Sequence, residues 1–277
     1  MSEERPVSEA SNKPDPRDFL DMTGRVALVT GAGRGVGAEI ARYLAAFGAK
    51  VVVNDFNGDR AERTAAAIND EGGTALGAQG DVTDFAALAE LVESTSAQLG
   101  TIDILVNNAG NAGADPSALT GAPFWKADPS EWQPYLGVNL MGVMHACRAV
   151  IPGMIDAGNG GRLITIISDA GRVGEPGLEA YSAAKAGAAG LMRALSKSLG
   201  RYQITANSIA IATTNTPAVA RAIQNEDWAK KALRSYTIRR FGEPSDIAAV
   251  ATLLASNASG WITGQTYPVN GGFSVSQ

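Results

Sequence analysis

The chain has 277 residues, of which 45% are hydrophobic and 18% charged, a composition typical of a globular protein large enough to bury a substantial core. The formal net charge of −5 disfavours general binding to nucleic acid or to anionic membranes. A single cysteine excludes an internal disulfide framework, and with only one histidine beside it a histidine/cysteine zinc site is implausible, so we expect no metal site.

The N-terminal segment, residues 1–21, is polar, acidic and proline-bearing, and it lacks the apolar stretch of a secretory signal. We expect a mobile tail there, followed by one domain over residues 22–277. No apolar run is expected to span a membrane, and we expect a cytoplasmic protein.

Strand-like and helix-like segments alternate along this domain. This rhythm predicts an α/β fold with a doubly wound parallel sheet in a single domain, whose ligands bind at the carboxyl ends of the strands. The predicted strands cover residues 25–30, 50–55, 74–80, 102–107, 162–168, 204–210 and 266–269. The predicted helices cover residues 35–48, 58–72, 84–99, 130–157, 179–201, 217–224, 226–233 and 244–256.

The first chemical motif is TGAGRGVG at residues 30–37, between a predicted strand and a predicted helix. Gly31, Gly35 and Gly37 allow a tight turn and a close approach to a pyrophosphate, which the N-terminus of the helix would attract. The second predicted strand ends in Asp55. A carboxylate there would accept hydrogen bonds from the adenosine ribose and repel a 2′-phosphate, so NAD is favoured over NADP, although Arg34 favours the phosphate.

Further along, Ser168 ends a predicted strand, and Tyr181 and Lys185 lie one helical turn apart. A neighbouring cation favours the phenolate, so we expect Lys185 to lower the pKa of Tyr181 and to make it a group for acid–base chemistry on an alcohol or ketone.

Taken together, these motifs resemble the short-chain dehydrogenase/reductase family, in its single-domain Rossmann-fold type. The resemblance runs from about Met22 to Phe273 and also includes DVTD (81–84), NNAG (107–110), VNLMG (138–142) and ITGQTYPVNGG (262–272). It implies that Tyr181 is the acid/base, that Lys185 lowers its pKa and binds the nicotinamide ribose, that Ser168 holds the substrate oxygen, and that Asn139 holds a water in a proton relay. It also implies a cofactor cleft formed by Gly31, Gly33, Arg34, Gly35, Val36, Gly37, Asp55, Asp81, Val82, Asn108, Ala109, Gly110, Tyr181, Lys185, Thr214 and Thr216.

One motif departs from the family pattern. Ile211 and Ala212 stand where the family usually has proline and glycine, whereas Thr214 and Thr216 keep the positions that meet the nicotinamide. Losing the proline frees the turn, which puts the geometry of this loop in doubt.

Two long segments, residues 111–130 and 213–242, are expected to shape the substrate pocket. The stretch SDAGRVG (168–174) is similar to dehydrogenases of alicyclic hydroxyacyl-CoA thioesters. We therefore expect an alicyclic secondary alcohol or a hydroxyacyl-CoA thioester. The alternatives are a 3-oxoacyl-thioester reductase, a steroid or polyol dehydrogenase, or a nucleotide-binding regulatory protein. The resemblance further implies a homotetramer or homodimer.

Overall fold

The computed structural model describes residues 15–110 and 122–275. The first fourteen residues of the predicted tail and residues 111–121 of the first pocket segment therefore lie outside the described residues. Residues of the predicted tail that are described include a short 3-10 turn, Pro16–Asp18.

A seven-stranded parallel sheet forms the centre of the molecule, with the strand order β3-β2-β1-β4-β5-β6-β7. Its central strands are short runs of buried, β-branched and aliphatic residues, as expected for strands covered on both faces. The strands are β1 (Val26–Val29), β2 (Lys50–Asp55), β3 (Thr74–Gln79), β4 (Ile104–Asn107), β5 (Gly161–Ser168), β6 (Ile204–Ile211) and β7 (Thr266–Val269).

Helices cover both faces of the sheet. They are α1 (Gly35–Ala46), α2 (Gly58–Asp70), α3 (Phe85–Leu99), α4 (Gln133–Leu136), α5 (Gly142–Ala157), α6 (Ala170–Val173), α7 (Glu179–Leu199), α8 (Ala220–Gln224), α9 (Glu226–Leu233) and α10 (Pro244–Ala255). One apolar core contains side chains of α1, α2 and α10, and the other contains side chains of α3, α5 and α7. The predicted doubly wound α/β fold is confirmed.

The predicted helix over residues 130–157 is divided in the structure. A 3-10 turn (Pro129–Trp132) and α4 lead into a π-helical turn, Gly137–Met141, before α5 begins. The whole stretch Pro129–Ala157 is long and apolar enough, by length and composition, to cross a membrane, contrary to the expectation from sequence. In the fold its inner side chains, among them Val143, Cys147 and Val150, belong to the core between α5 and the sheet.

From β1 the chain adds β2 and β3 on one side of the sheet, and from β4 to β7 it adds strands on the other side. The direction of winding therefore reverses between β1 and β4. Connections leave β1 and β4 in opposite directions at this point, so a crevice opens at the carboxyl ends of these strands. The loops after β1, β2, β4, β5 and β6 all begin at this edge of the sheet.

Candidate active site

The glycine-rich loop after β1 is held against the end of β4. Gly31 has a φ of +62°, in the left-handed region, and a Cβ built on it would lie 2.7 Å from the Cα of Ala109. The Thr30 hydroxyl accepts the N–H groups of Asn108 and Ala109, both at 3.1 Å. The Asn108 amide donates to the carbonyls of Thr30 and Gly31 at 3.0 and 2.9 Å. Sequence analysis did not identify Thr30, although a polar β-branched residue directly before the loop was a usable signal.

The residues of this loop fit a dinucleotide. Side chains longer than glycine would not fit in this loop, since a Cβ on Gly37 would lie 2.4 Å from the Asn108 amide nitrogen. Arg34 precedes α1 without a side-chain cap, so the first N–H groups of the helix remain directed at the position of a phosphate. The rest of this loop and the start of α1 are formed by Gly33, Gly35 and Val36.

Asp55 lies where the ribose is expected, at the carboxyl end of β2. Its carboxylate is buried and accepts the backbone N–H groups of Gly33 and Asn57, each at 3.0 Å. These two bonds fix the carboxylate beside the glycine loop. Arg60, which sequence analysis did not single out, lies close by, because a Cβ on Gly33 would come within 2.5 Å of its Cβ.

Asp81 and Val82 border the same crevice after β3. Asp81 accepts hydrogen bonds from the Thr83 N–H and hydroxyl, both at 2.8 Å, which closes a turn. Val82 is buried over Gly142, and His145 on α5 hydrogen-bonds its carbonyl at 3.0 Å.

Ser168, Tyr181 and Lys185 come together at the end of β5. The Tyr181 phenol lies close enough to the Ser168 hydroxyl for the serine to lower its pKa, and the same hydroxyl accepts the Ala170 N–H at 3.1 Å. The Lys185 ammonium donates to the Ile166 carbonyl at 2.9 Å and lies 5.8 Å from the centre of the Tyr181 ring. The cation, the phenol and the hydroxyl therefore lie together at the carboxyl end of β5.

The expected lowering of the Tyr181 pKa is not found in the protein alone. Burial raises the pKa of the Tyr181 phenol, the Ser168 hydrogen bond lowers it, and the nearby Tyr135 raises it again. Burial also lowers the pKa of Lys185 to about 8. Desolvation is thus the largest influence on the pKa of Tyr181, and it also makes Lys185 less firmly charged than an exposed lysine. Tyr135, whose ring meets that of Tyr181 edge to face at 6.1 Å, was not identified from the sequence.

Asn139 is completely buried in the π-helical turn, and its amide donates to the Tyr135 carbonyl at 2.8 Å. Gly110 links it to the lysine, because a Cβ on Gly110 would lie 3.0 Å from both the Asn139 Oδ1 and the Lys185 Nζ. The structure therefore brings Asn139 to the same pocket as the other three candidate catalytic residues.

The loop after β6 closes the crevice on its far side. The side chain of Thr216 lies next to Gly35, and Thr214 is buried with its hydroxyl donating to the Ala212 carbonyl at 3.1 Å. Ala212 does not adopt the left-handed backbone that would need a glycine. Among the described residues there is no cluster of three metal-ligating side chains.

A family model described as "Enoyl-(Acyl carrier protein) reductase" matches residues 31–274. The chain is 36% identical to the 7alpha-hydroxysteroid dehydrogenase of Escherichia coli K12, over 92% of this chain and 96% of that protein. It is 38% identical to the acetoacetyl-CoA reductase of Rhizobium meliloti, over 90% of this chain and 98% of that protein. It is 36% identical to the cis-4-hydroxycyclohexanecarboxylate dehydrogenase of Sinomonas cyclohexanicum, over 91% of this chain and 97% of that protein.

Solved structures of similar proteins share the fold. A 7alpha-hydroxysteroid dehydrogenase complexed with NADH and 7-oxo glycochenodeoxycholic acid superposes with a TM-score of 0.85, at 36% identity over 92% of this chain and 96% of that one. A gluconate 5-dehydrogenase from Burkholderia cenocepacia, in complex with NADP and tartrate, superposes with a TM-score of 0.85. It is 33% identical over 93% of this chain and 99% of that one.

Proposed function

This chain belongs to the short-chain dehydrogenase/reductase family, and we propose that it transfers a hydride between NAD and a bulky secondary alcohol or its ketone. The observation that carries the proposal is that Ser168, Tyr181 and Lys185 lie together at the edge of a crevice suited to a dinucleotide. A protein that only bound nucleotides would need none of these three side chains.

The bound dinucleotide supplies the hydride acceptor or donor at its nicotinamide. The protein handles the proton and the geometry. Tyr181 takes the hydroxyl proton during oxidation, or gives it during reduction, while the Ser168 hydroxyl holds and polarises the substrate oxygen. Lys185 holds the nicotinamide ribose and stabilises the phenolate when it forms. The buried Asn139 holds a water that carries the proton onwards.

Asp55 supports NAD as the preferred cofactor. Its carboxylate is fixed by the N–H groups of Gly33 and Asn57, so it cannot readily move away from an incoming group. A 2′-phosphate would have to approach this buried negative charge. Of the similar proteins, one was solved with NADH and another with NADP, so the cofactor differs among them.

The substrate is proposed to carry an alicyclic ring. One relative acts on a hydroxycyclohexanecarboxylate and another on a steroid, according to their names. Large aromatic side chains lie in the segments proposed to shape the pocket: Phe124 stacks on Trp132 at 5.0 Å between ring centres, and Trp228 stacks on Phe241 at 5.8 Å. Apolar rings gain affinity from the apolar area that they cover.

A 3-oxoacyl-thioester reductase is the second candidate, because the acetoacetyl-CoA reductase relative is 38% identical. A polyol dehydrogenase is the third candidate. We further propose that the enzyme works in the cytoplasm as a dimer or tetramer.

The direct test is a screen for reduction of NAD and of NADP with alicyclic alcohols, hydroxyacyl-CoA thioesters, steroids, polyols and short linear alcohols. We expect NAD reduction with alicyclic or steroid alcohols at a kcat/KM well above that of linear alcohols. A preference for linear alcohols would contradict the ring assignment. Tight NAD binding without turnover of any alcohol would contradict the proposed reaction.

A further inference from the structure

The loop over residues 212–216 borders both the cofactor crevice and a separate cavity. It contains neither proline nor glycine, so no residue in it fixes the backbone in advance. Behind it lies a cavity of about 440 Å³, lined in part by Thr213, Val250 and Pro268. The cavity leaves that side of the loop without packed side chains, so hydrogen bonds to the facing chain supply part of the constraint.

Three hydrogen bonds hold this loop to residues 236–242. Gly242 donates its N–H to the Thr213 carbonyl at 3.1 Å and accepts the Asn215 N–H at 2.7 Å. The third bond comes from a side chain: the Tyr236 hydroxyl accepts the Thr213 N–H at 3.0 Å.

Tyr236 is well suited to act as a fixed point. Its side chain is 4% exposed, and its ring contacts Phe241 at 6.1 Å and Phe273 at 5.3 Å between ring centres. Because the ring is enclosed by other rings, its hydroxyl has little freedom, and the Thr213 N–H is held where the ring puts it. Thr216, further along the same loop, lies against Gly35 at the start of α1.

We propose that Tyr236 is a positioning residue for the dinucleotide: its hydroxyl sets the 212–216 loop in the conformation that receives the nicotinamide half. It does so in place of the proline that the family usually has just before the loop, where this chain has Ile211. This inference rests on the proposed function. Tyr236 touches neither the substrate oxygen nor the residues that move the proton. Its loss should therefore weaken cofactor binding and leave the chemical step unchanged.

The test is Tyr236→Phe, which removes the hydroxyl and keeps the ring. We expect the Kd for NAD, measured by calorimetry, to rise about five- to tenfold, because the partly buried Thr213 N–H loses its acceptor. The kcat at saturating NAD should stay within about twofold of wild type. Hydrogen exchange in the free protein should become faster at the Thr213 amide. Tyr267→Phe, on the neighbouring strand β7, is the matched control and should change none of these quantities.

A second variant tests whether a proline can replace the constraint that the Tyr236 hydroxyl provides. Ile211→Pro in the Tyr236→Phe background restricts the backbone just before the loop and should recover most of the lost affinity, while in the wild type it should change the Kd much less. An unchanged Kd in Tyr236→Phe would overturn the proposal, and so would a parallel loss of kcat and melting temperature without faster exchange at Thr213. If the wild type binds no dinucleotide, the proposed function fails, and the exchange rates still decide whether Tyr236 holds the loop.

Discussion

The Lys185 ammonium lies in surroundings that oppose its charge. It is 4% exposed, it has the Ile166 carbonyl as a hydrogen-bond acceptor, and burial lowers its pKa to about 8. A residue that is unfavourable to bury and yet directed at the candidate catalytic tyrosine is characteristic of a functional site rather than of a stabilising core.

Replacing this lysine should therefore stabilise the fold. The pKa of Lys185 is lower in the folded protein, about 8, than in the unfolded chain, about 10.5, so the folded protein binds this proton less tightly. Its protonation opposes folding fully below about pH 8, and this opposition disappears as the pH rises from about 8 to about 10.5. Lys185→Met should raise the free energy of unfolding by roughly 1–3 kcal/mol at pH 7 and abolish turnover.

Denaturant unfolding at several pH values measures this effect, with the exposed Lys197→Met on the same helix as the control. The stability gained by Lys185→Met should be largest below about pH 8 and should shrink towards pH 10. A variant that is less stable than wild type at pH 7 would show that the ammonium stabilises the fold. A difference that does not depend on pH would contradict the lowered pKa of Lys185.

Asp55 is the residue on which cofactor choice is proposed to depend. Asp55→Asn keeps an oxygen acceptor for one of its two backbone donors and removes the charge that repels a 2′-phosphate. The ratio of kcat/KM for NAD to that for NADP should fall by about tenfold or more, as Arg34 becomes free to meet the phosphate. The exposed Asp59→Asn on α2 is the matched control. Equal use of both cofactors by the wild type would refute the assignment of Asp55.

At the scale of elements, the site depends on the π-helical turn Gly137–Met141, which widens the helix and directs Asn139 inwards. π-helical turns are often found at functional sites. This turn brings Asn139 next to the end of β4 and to α7, and Gly110 fills the narrow space between them. The π-helical turn, the end of β4 and α7 therefore meet at Gly110 without room for an added methyl group.

Gly110→Ala tests this junction. The added Cβ would lie 3.0 Å from both the Asn139 Oδ1 and the Lys185 Nζ, so these two groups must shift. We expect kcat to fall by about tenfold or more, since misplacement of a catalytic group by a fraction of an ångström to one ångström is sufficient for such a loss. Gly190→Ala on α7 is the control, because its Cβ would make an ordinary contact of 3.7 Å with Arg193. Equal activity of the two variants would contradict the tight junction.

Most elements could be predicted because each strand is a short apolar run and each helix has a clear periodicity. All seven predicted strands are present, with ends that differ by at most two residues. The π-helical turn was not predicted, because it follows from packing of the chain around Asn139 rather than from local preference. The link from Tyr236 to Thr213 was not predicted either, since it joins residues far apart in sequence through one side chain.

At the scale of the whole molecule, several large apolar side chains are exposed. Met141 at the end of the π-helical turn and Met144 on α5 have exposures of 42% and 41%, and Trp261, between α10 and β7, is fully exposed. Exposed apolar side chains of this size are candidates for contacts between subunits, and we propose that Met144 lies in one.

Light scattering at micromolar concentration should therefore give the mass of a dimer or a tetramer. Met144→Glu places a charge on the proposed contact and should shift the mass downwards, whereas Glu93→Gln on α3 should not. A wild-type protein that is monomeric at this concentration would refute the assembly.

The central claim is that Tyr181 moves the proton that accompanies hydride transfer, and steady-state oxidation of an alicyclic alcohol by wild type and Tyr181→Phe tests it most directly. The kcat of the variant should fall by about a hundred- to ten-thousand-fold, because the proton-transfer group is lost, while the Kd for NAD and the melting temperature remain close to those of wild type. Tyr202→Phe serves as the control. A Tyr181→Phe enzyme that keeps more than about a tenth of the wild-type kcat would contradict the account.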